Sequence, residues 1–345
     1  MALSKLSLLP LLKHRWVRHR ILLSGSLLII SLLFVVFISL CQGAVSLTWE
    51  ELWQAAWRQG DPIHQTILWD LRLPRVVAAL VVGSALGMAG ALLQGMLRNG
   101  LASPFLLGIS AGAGLAAVLI VGIGIWRIWT PLGAWLGAIA TTLMVYLLAR
   151  SSTGVSVERL ILGGVAFSAL FTAIQSMLLL LSQDGRIQAA LTWLLGSLNG
   201  RGWQEVAVAG PGIILALIGG CLLARSVNLL NLGDDLAIGV GTSLTRSRCL
   251  IGAVATLLAA GAVSIAGLVG FVGLIVPHGV RLLVGTDYRL VLPFSALGGA
   301  LVLSIADFIA RSGPVELPVG IVTAILGAPV FLWLLYRRSL PTRAV

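Results

Sequence analysis

The chain has 345 residues, of which 58% are hydrophobic and 10% charged, and its mean hydropathy is +1.03. This composition excludes a soluble globular protein, because apolar runs of the roughly 20 residues needed to cross a hydrocarbon core of about 30 Å recur along the chain. The formal net charge of +11 comes from 23 Lys and Arg residues against 12 Asp and Glu residues.

Ten apolar segments predict an all-α polytopic membrane protein with about ten transmembrane helices. We place the spans at about 21–41, 76–97, 105–125, 131–149, 160–181, 206–224, 250–266, 268–284, 290–309 and 318–336. The spans divide the chain into a basic N-terminus (1–20), a transmembrane domain (21–336) and a short tail (337–345).

The charge distribution predicts the topology. An even number of spans puts both termini on one side, and the first span follows "KHRWVRHR" with an apolar run too long for a cleavable signal, so we expect it to be retained. Most Lys and Arg residues then lie on the side of the termini, and most acidic residues on the other side. This bias is the positive-inside rule, so we expect both termini to be cytoplasmic and no nucleic-acid partner.

An internal similarity suggests a duplication. The segments "ALVVGSALGMAG" and "TLLAAGAVSIAG" match at Leu80/Leu257, Ala85/Ala262, Ala89/Ala266 and Gly90/Gly267. Because five spans separate the copies, a duplicated unit would be an inverted repeat of the kind that transporters use. Coincidence remains the alternative, because small residues are frequent in membrane helices.

The sequence offers no catalytic centre, and we expect no enzymatic activity in this chain. The only lysines are Lys5 and Lys13, and no phosphate-cradling loop precedes either of them. The histidines and cysteines are scattered, which gives neither a catalytic arrangement nor a metal site: His14, His19, His64, His278, Cys41, Cys221 and Cys249. A proton relay would have only Asp307 as a candidate, and a hydrogen-bonded residue at a helix end is the alternative reading of that carboxylate.

Several ordered motifs resemble the FecCD family. They are "RLPR" at 72–75, "LLGISAGAG" at 106–114, "NLLNLGDDLAIGVG" at 228–241, "GFVGLIVPHGVR" at 270–281, and "ADFIAR" with "ELPVGIVTAILGAPVF" between 306 and 331. Members are permease subunits of ABC importers for ferric siderophores, cobalamin and haem.

The resemblance implies a type II ABC importer permease in the bacterial inner membrane. Such a permease dimerises with a second copy or a homologue, recruits two cytoplasmic ATPases and accepts substrate from an extracytoplasmic binding protein. ATP and Mg²⁺ would then be bound by the partner ATPases, with no cofactor in this chain. We expect an iron(III)-siderophore as cargo, with cobalamin or haem as alternatives. A secondary carrier or channel without an ATPase is the rival class.

The loop at about 225–249 mixes an apolar run with charge, which is unusual for a solvated loop. The apolar side chains could line one face of a short helix, and Gly233 followed by Asp234 and Asp235 predicts a turn and a helix start. The resemblance implies that this loop docks on the ATPase through Leu229, Leu230, Leu232, Gly233, Asp234, Asp235, Leu236 and Ile238. A helix on the lipid surface is the alternative, although adjacent aspartates would be repelled by anionic headgroups.

Two further motifs lie at the expected cytoplasmic side. The loop "RSSTGVSVER" at 150–159 carries Ser151, Ser152 and Thr153, which the resemblance makes candidates for a cytoplasmic gate, with an ordinary solvated turn as the alternative. In "PHGVR" we expect a structural role for Pro277, His278 and Arg281: the proline kinks the span, and the arginine reaches the inner interface. Direct contact with the ATPase is the alternative.

Three arginines fall on the outer side against the general charge bias. Arg72 and Arg75 lie at the start of the second span, and Arg311 lies at the end of the ninth. The resemblance maps them onto a rim-exposed pocket that receives acidic residues of the binding protein. A guanidinium suits that task because it offers a fork of donors to a carboxylate. Anchoring in lipid headgroups is the alternative.

Overall fold

The protein is an all-α bundle, described here by a computed structural model that covers residues 8–43, 45–123, 129–151, 154–181 and 184–339. In chain order the elements are α1 (Leu8–Cys41), α2 (Trp49–Ala56), α3 (Pro62–Thr66), a π-helical turn (Ile67–Arg72), α4 (Leu73–Leu97), a 3₁₀ turn (Pro104–Leu107), α5 (Ile109–Ile123), α6 (Thr130–Ala149), β1 (Arg150–Ser151), β2 (Gly154–Val155), α7 (Val157–Leu181), α8 (Asp184–Leu194), α9 (Trp203–Leu222), α10 (Ala224–Asn231), α11 (Asp234–Gly239), α12 (Leu244–Ala266), α13 (Val272–Val284), α14 (Tyr288–Ala310) and α15 (Val319–Ser339).

The ten predicted spans all correspond to apolar helices. Within the described residues, seven helices are long and apolar enough to cross a membrane, and three shorter apolar helices lie at Ile109–Gly122, Val272–Val284 and Val319–Leu334. Helices α1 and α12 show the largest differences at their starts: α1 begins at Leu8 rather than at about 21, and α12 at Leu244 rather than at about 250. Polar residues continue both helices beyond the apolar run, which hydropathy does not detect.

The core of the bundle is built around α4, which packs against α14, α12 and α13. Small residues allow this packing because they let backbones approach closely. A Cβ atom at Gly87 would lie 2.1 Å from the carbonyl oxygen of Ser295 in α14, and one at Gly90 would lie 1.8 Å from that of Gly273 in α13. Backbone therefore touches backbone at both crossings, and larger side chains cannot be accommodated without moving a helix.

A short amphipathic helix, α2, lies beside the C-terminal end of α1. Thr48 and Glu51 form a reciprocal capping box at its start. Trp49, Trp53 and Trp57 form an exposed ladder with ring centroids 5.9 Å apart, and Phe37 of α1 continues it at 5.6 Å. This aromatic face is continuous with the exposed apolar surface of α1, as expected for tryptophans at a membrane interface.

The inverted repeat remains a hypothesis. The two similar segments lie in α4 and α12, which are both largely buried and pack against each other. At the matched glycines, however, the local structures differ. Gly90 lies inside α4, whereas Gly267 has φ +71° and follows the last residue of α12.

Candidate functional site

Three arginines, Arg72, Arg75 and Arg311, lie at the end of the bundle where α1 ends, and we call this region the arginine end. The guanidinium of Arg72 donates hydrogen bonds to the carbonyl oxygens of Leu40 at 2.6 Å and Cys41 at 2.9 Å, and also to that of Val45. Only 6% of Arg72 is exposed. This side chain therefore fastens the end of α1 and the following loop to the π-helical turn.

The other two arginines share the carboxylate of Asp307. Arg75 donates to both Asp307 oxygens at 2.8–3.1 Å and also pairs with Glu316 at 2.6 Å. Arg311 lies 3.7 Å from Asp307 and donates to the carbonyl oxygens of Ser39 and Gln42. Asp307 is 2% exposed, so it is a buried, hydrogen-bonded residue near the end of α14.

These contacts correct one expectation. The arginines were expected to be rim-exposed, but all three side chains are largely buried and hold partners within the chain. The physical reason is that burial of a guanidinium requires acceptors, and the segment after α1 supplies carbonyls while α14 supplies a carboxylate. Contact with a binding protein stays a prediction, and Glu316 is the most exposed partner of this cluster.

The proline motif of α13 is completed by a residue that the sequence did not indicate, Gln94 of α4. Pro277 has no N–H, which leaves the carbonyl of Gly273 one turn earlier without its helical donor. The Gln94 amide donates to the carbonyl oxygens of Gly273 at 3.3 Å and Leu274 at 3.1 Å, and its own oxygen accepts from Arg281 at 2.5 Å. Pro277 is buried, and these contacts agree with a structural reading of the motif.

The segment at 225–249 forms two short helices at the opposite end of the bundle, which we call the α10–α11 end. Gly233, with φ +111°, separates them, and Asp234 and Asp235 begin α11 as expected. The expectation of a single apolar face is wrong for Leu230, which is buried in the core. Leu229 is half-buried, whereas Leu232, Leu236 and Ile238 are exposed to 58%, 62% and 57%. The turn at Gly233 changes the direction of the chain between α10 and α11. Leucines that would share one face of a continuous helix therefore point in different directions.

A cleft of about 630 Å³, lined by charged, amide and apolar residues, lies beside Leu232. Its walls come from α4, α10, α13 and α14 and include Arg98, Asn228, Leu232 and Asp287. Asp287 caps α14: the Arg289 backbone N–H and the Asn228 amide donate to its carboxylate, and these hydrogen bonds lower the pKa of Asp287 below its usual value. The cleft joins an apolar rim to charged and amide groups, which suits contact with another protein.

The candidate gate loop, at the same end, contains the two paired strands β1 and β2, which we call the hairpin. Arg150 pairs with Val155 and Ser151 pairs with Gly154 in the antiparallel β1–β2 register. Of the three candidate gate residues, Ser151 lies in β1, and Ser152 and Thr153 lie outside the described residues. The hairpin joins α6 to α7, so its position is linked to the ends of both helices.

Arg248 connects this hairpin to α11, and sequence reasoning gave it no role. It donates to the carbonyl oxygen of Val155 at 3.1 Å and to the carboxylate of Asp234 at 2.8 and 3.0 Å. Arg98 also reaches Asp234, at 3.3 Å. The signal available in the sequence was an arginine within the first turns of an apolar helix, which must find acceptors when it is buried.

The described residues hold no group of three or more His, Cys, Asp or Glu side chains that could bind a metal ion. The charged side chains described at the two ends form ion pairs and hydrogen bonds within the chain.

Comparison with known proteins gives the identity. The FecCD transport family matches residues 31–337. The hemin transport system permease protein HmuU of Yersinia pestis is 38% identical over 325 residues, covering 92% of this chain and 96% of the relative. The cobalamin import system permease protein BtuC of Halobacterium salinarum is 41% identical over 277 residues, covering 80% and 74%. A solved structure described as an inward-facing conformation of a metal-chelate type ABC transporter superposes with a TM-score of 0.82 at 32% identity, covering 90% of this chain and 97% of the other. The chain therefore belongs to the FecCD transport family and is an ABC importer permease.

Proposed function

We propose that this chain is the membrane-spanning subunit through which an iron(III)-siderophore complex enters the cytoplasm by alternating access. Two cytoplasmic ABC ATPases drive the transport, and an extracytoplasmic binding protein delivers the substrate. The subunit lies in the bacterial inner membrane with both termini and the α10–α11 end in the cytoplasm, in agreement with the positive charge of the segments on that side.

The observation that carries this proposal is the exposed apolar surface of α10–α11 beside the cleft that Leu232 lines. Leu232, Leu236 and Ile238 are more than half exposed at the end of the bundle, next to charged and amide groups. A lipid surface fits this patch poorly, because Asp234 and Asp235 in the same short helix would face anionic headgroups. A protein partner with apolar and basic side chains fits both features.

A second permease subunit is supported by α7. Of its 25 residues, the structure buries Leu160, Gly164 and Gln175, so most of the helix surface has no cover within the chain. The exposed face combines apolar residues with small polar ones such as Thr172 and Ser176. Two such faces from two subunits could enclose a route for a bulky chelate, which a single packed bundle cannot provide. The second subunit is either another copy or a homologous permease.

The substrate class rests on chemistry that the similar proteins share. The relatives' names specify hemin and cobalamin, and the structural neighbour is of the metal-chelate type. All of these are metal ions enclosed by an organic ligand. We assign the iron(III)-siderophore from this class, and haem is the second candidate because the HmuU relative covers nearly the whole chain.

The proposal is tested by purifying the chain with candidate ATPase and binding-protein subunits. We expect a stable complex that contains two ATPases, two permease subunits and one binding protein, measured by native mass spectrometry. Substrate binding to the binding protein, measured for a ferric siderophore, hemin and cobalamin, should favour the siderophore. Uptake by this chain alone, without any ATPase, would show instead a secondary carrier or channel.

A further inference from the structure

We propose that Arg248 is the positioning residue that transmits movement of α11 to the hairpin joining α6 and α7. Arg248 lies in the first turns of α12 and is 8% exposed. One nitrogen, Nη1, donates to the Val155 carbonyl oxygen at 3.1 Å, and the other, Nη2, donates to the Asp234 carboxylate at 2.8 Å. A single planar group thus holds two separate elements at once.

The hairpin side of this link is firmly built. Val155 is buried, and it pairs with Arg150 in the β1–β2 register. The Ser156 N–H donates to the carbonyl oxygen of Ala149, which closes the hairpin onto the end of α6. The Tyr146 hydroxyl, in the last turns of α6, donates to the carbonyl oxygen of Arg248 at 3.0 Å. Displacement of Arg248 must therefore strain the connection between α6 and α7.

The α11 side of the link is firm as well. Asp234 is the first residue of α11, and besides its hydrogen bonds from Arg248 it forms an ion pair with Arg98 at 3.3 Å. Arg98 follows the last residue of α4 in a left-handed conformation, with φ +51°. Asp234 therefore ties the start of α11 to α4 and to α12, while Asp235 beside it is exposed.

Arginine is suited to this role for a geometric reason. Its donors form a rigid fork, so two acceptors in different directions can be held in fixed relation to each other. A lysine ammonium at the same position is a point charge on a flexible stem. It would keep the positive charge opposite Asp234 but could not hold both acceptors in one plane. Coupling between α11 and the hairpin should thus require an arginine at position 248, whereas folding should mainly require a positive charge there.

This inference rests on the proposed function, in which the ATPase docks on α10–α11. When the ATPase moves α11, Arg248 would carry that displacement to the hairpin and so to α6 and to α7, whose exposed face lines the proposed route. Energetic coupling between sites runs through elements that are physically connected in this way, and it typically changes an equilibrium by about 5–150-fold.

The experiment compares Arg248→Lys with Arg246→Lys in the complete transporter reconstituted in liposomes. Arg246 lies on the same helix with an exposed side chain, so it controls for the chemical change. A second pair, Asp234→Asn and Glu50→Gln, tests the other end of the link and remains informative if Arg248→Lys fails to fold. Glu50 is the control because it is an exposed carboxylate in the first turn of α2, so both changes have similar effects on a helix dipole.

We expect Arg248→Lys and Asp234→Asn to assemble with the ATPase and hydrolyse ATP, while substrate transported per ATP falls by about tenfold. Both control variants should keep the wild-type ratio. Hydrogen exchange of the backbone at 150–155 should change on nucleotide binding in the wild type and in the controls, but not in the two test variants.

Two results would overturn the inference. In the first, both test variants keep the wild-type ratio of substrate to ATP. In the second, assembly, ATPase activity and uptake fall in proportion, which would show a purely structural role. If the wild-type chain itself fails to bind an ATPase, the proposed function is overturned and the inference with it. This outcome differs from the two above because the wild type and every variant would then behave alike.

Discussion

Replacing Gly90 by alanine tests the close packing of α4 against α13. A methyl group at this position would lie 1.8 Å from the carbonyl oxygen of Gly273, whereas real Cβ atoms essentially never approach within 3.0 Å. The gap between the helices must therefore open by about 1.2 Å, the difference between these two distances. Because the obstructing atom belongs to the backbone, no side chain can turn away to relieve the clash.

The expected loss of stability combines three terms. Overpacking in a tightly packed core costs about 1–3 kcal/mol. Separation of the helices also weakens the hydrogen bonds of Gln94 to the carbonyls of Gly273 and Leu274, each worth about 0.5–1.5 kcal/mol. Alanine regains up to about 1 kcal/mol over glycine through its helix propensity. We expect a net destabilisation of about 2–4 kcal/mol.

The assay is equilibrium unfolding of the purified protein in mixed micelles titrated with SDS. Gly279→Ala is the matched control, because Gly279 lies in α13 itself and a Cβ there would meet nothing within 4 Å. That variant should be unchanged or more stable by up to about 1 kcal/mol. If Gly90→Ala unfolds within about 0.5 kcal/mol of the wild type, the contact between α4 and α13 does not have the geometry described.

Three further predictions follow from the two ends of the bundle. Replacing Leu232 and Leu236 together by glutamate should abolish binding of the ATPase in a pull-down. The melting temperature should not change, because both side chains are exposed. Binding at the wild-type level would show that this surface does not dock on the ATPase. Asp307→Asn should destabilise the protein by about 3–5 kcal/mol, because it removes the buried negative charge that Arg75 and Arg311 share. Glu316→Gln should cost less than about 1 kcal/mol and should tighten docking of the binding protein, because it removes the more exposed carboxylate beside Arg75. Equal losses of stability would contradict the burial of Asp307. The folded-state pKa of Asp287 lies below its usual 3.8, so the stability that this carboxylate contributes is present above that pH and is lost as the pH falls through the lower folded value. Asp287→Asn should therefore flatten the dependence of unfolding free energy on pH between about pH 5 and 3. An unchanged slope would show that this cap does not contribute to stability.

The number and order of the spans could be predicted because hydropathy is a local property. Each membrane helix carries its own apolar run, so the ten segments are visible without knowledge of tertiary contacts. Outside these runs, the start of α11 at Asp234 was predicted, but α2 and α8 were not. Helices α2 and α8 contain 8 and 11 residues, too few for periodicity to separate them from loops.

The surroundings of the charged residues could not be predicted, because they depend on distant parts of the chain. Arg75 and Asp307 are 232 residues apart, and Gln94 and Arg281 are 187 apart. Sequence reasoning therefore identified Arg75 and Arg281 but assigned the first to a rim and did not find Gln94. Leu230 was placed on the docking face for a similar reason, since nothing local shows that α10 turns it into the core.

The central claim is that this permease moves a ferric chelate only when an ATPase drives it. The direct measurement is uptake of iron-55 bound to a siderophore by liposomes that contain the chain, its ATPase and its binding protein. We predict accumulation that requires ATP on the side of the α10–α11 end and stops when the ATPase is omitted or cannot hydrolyse ATP. Accumulation that continues without the ATPase would contradict the account.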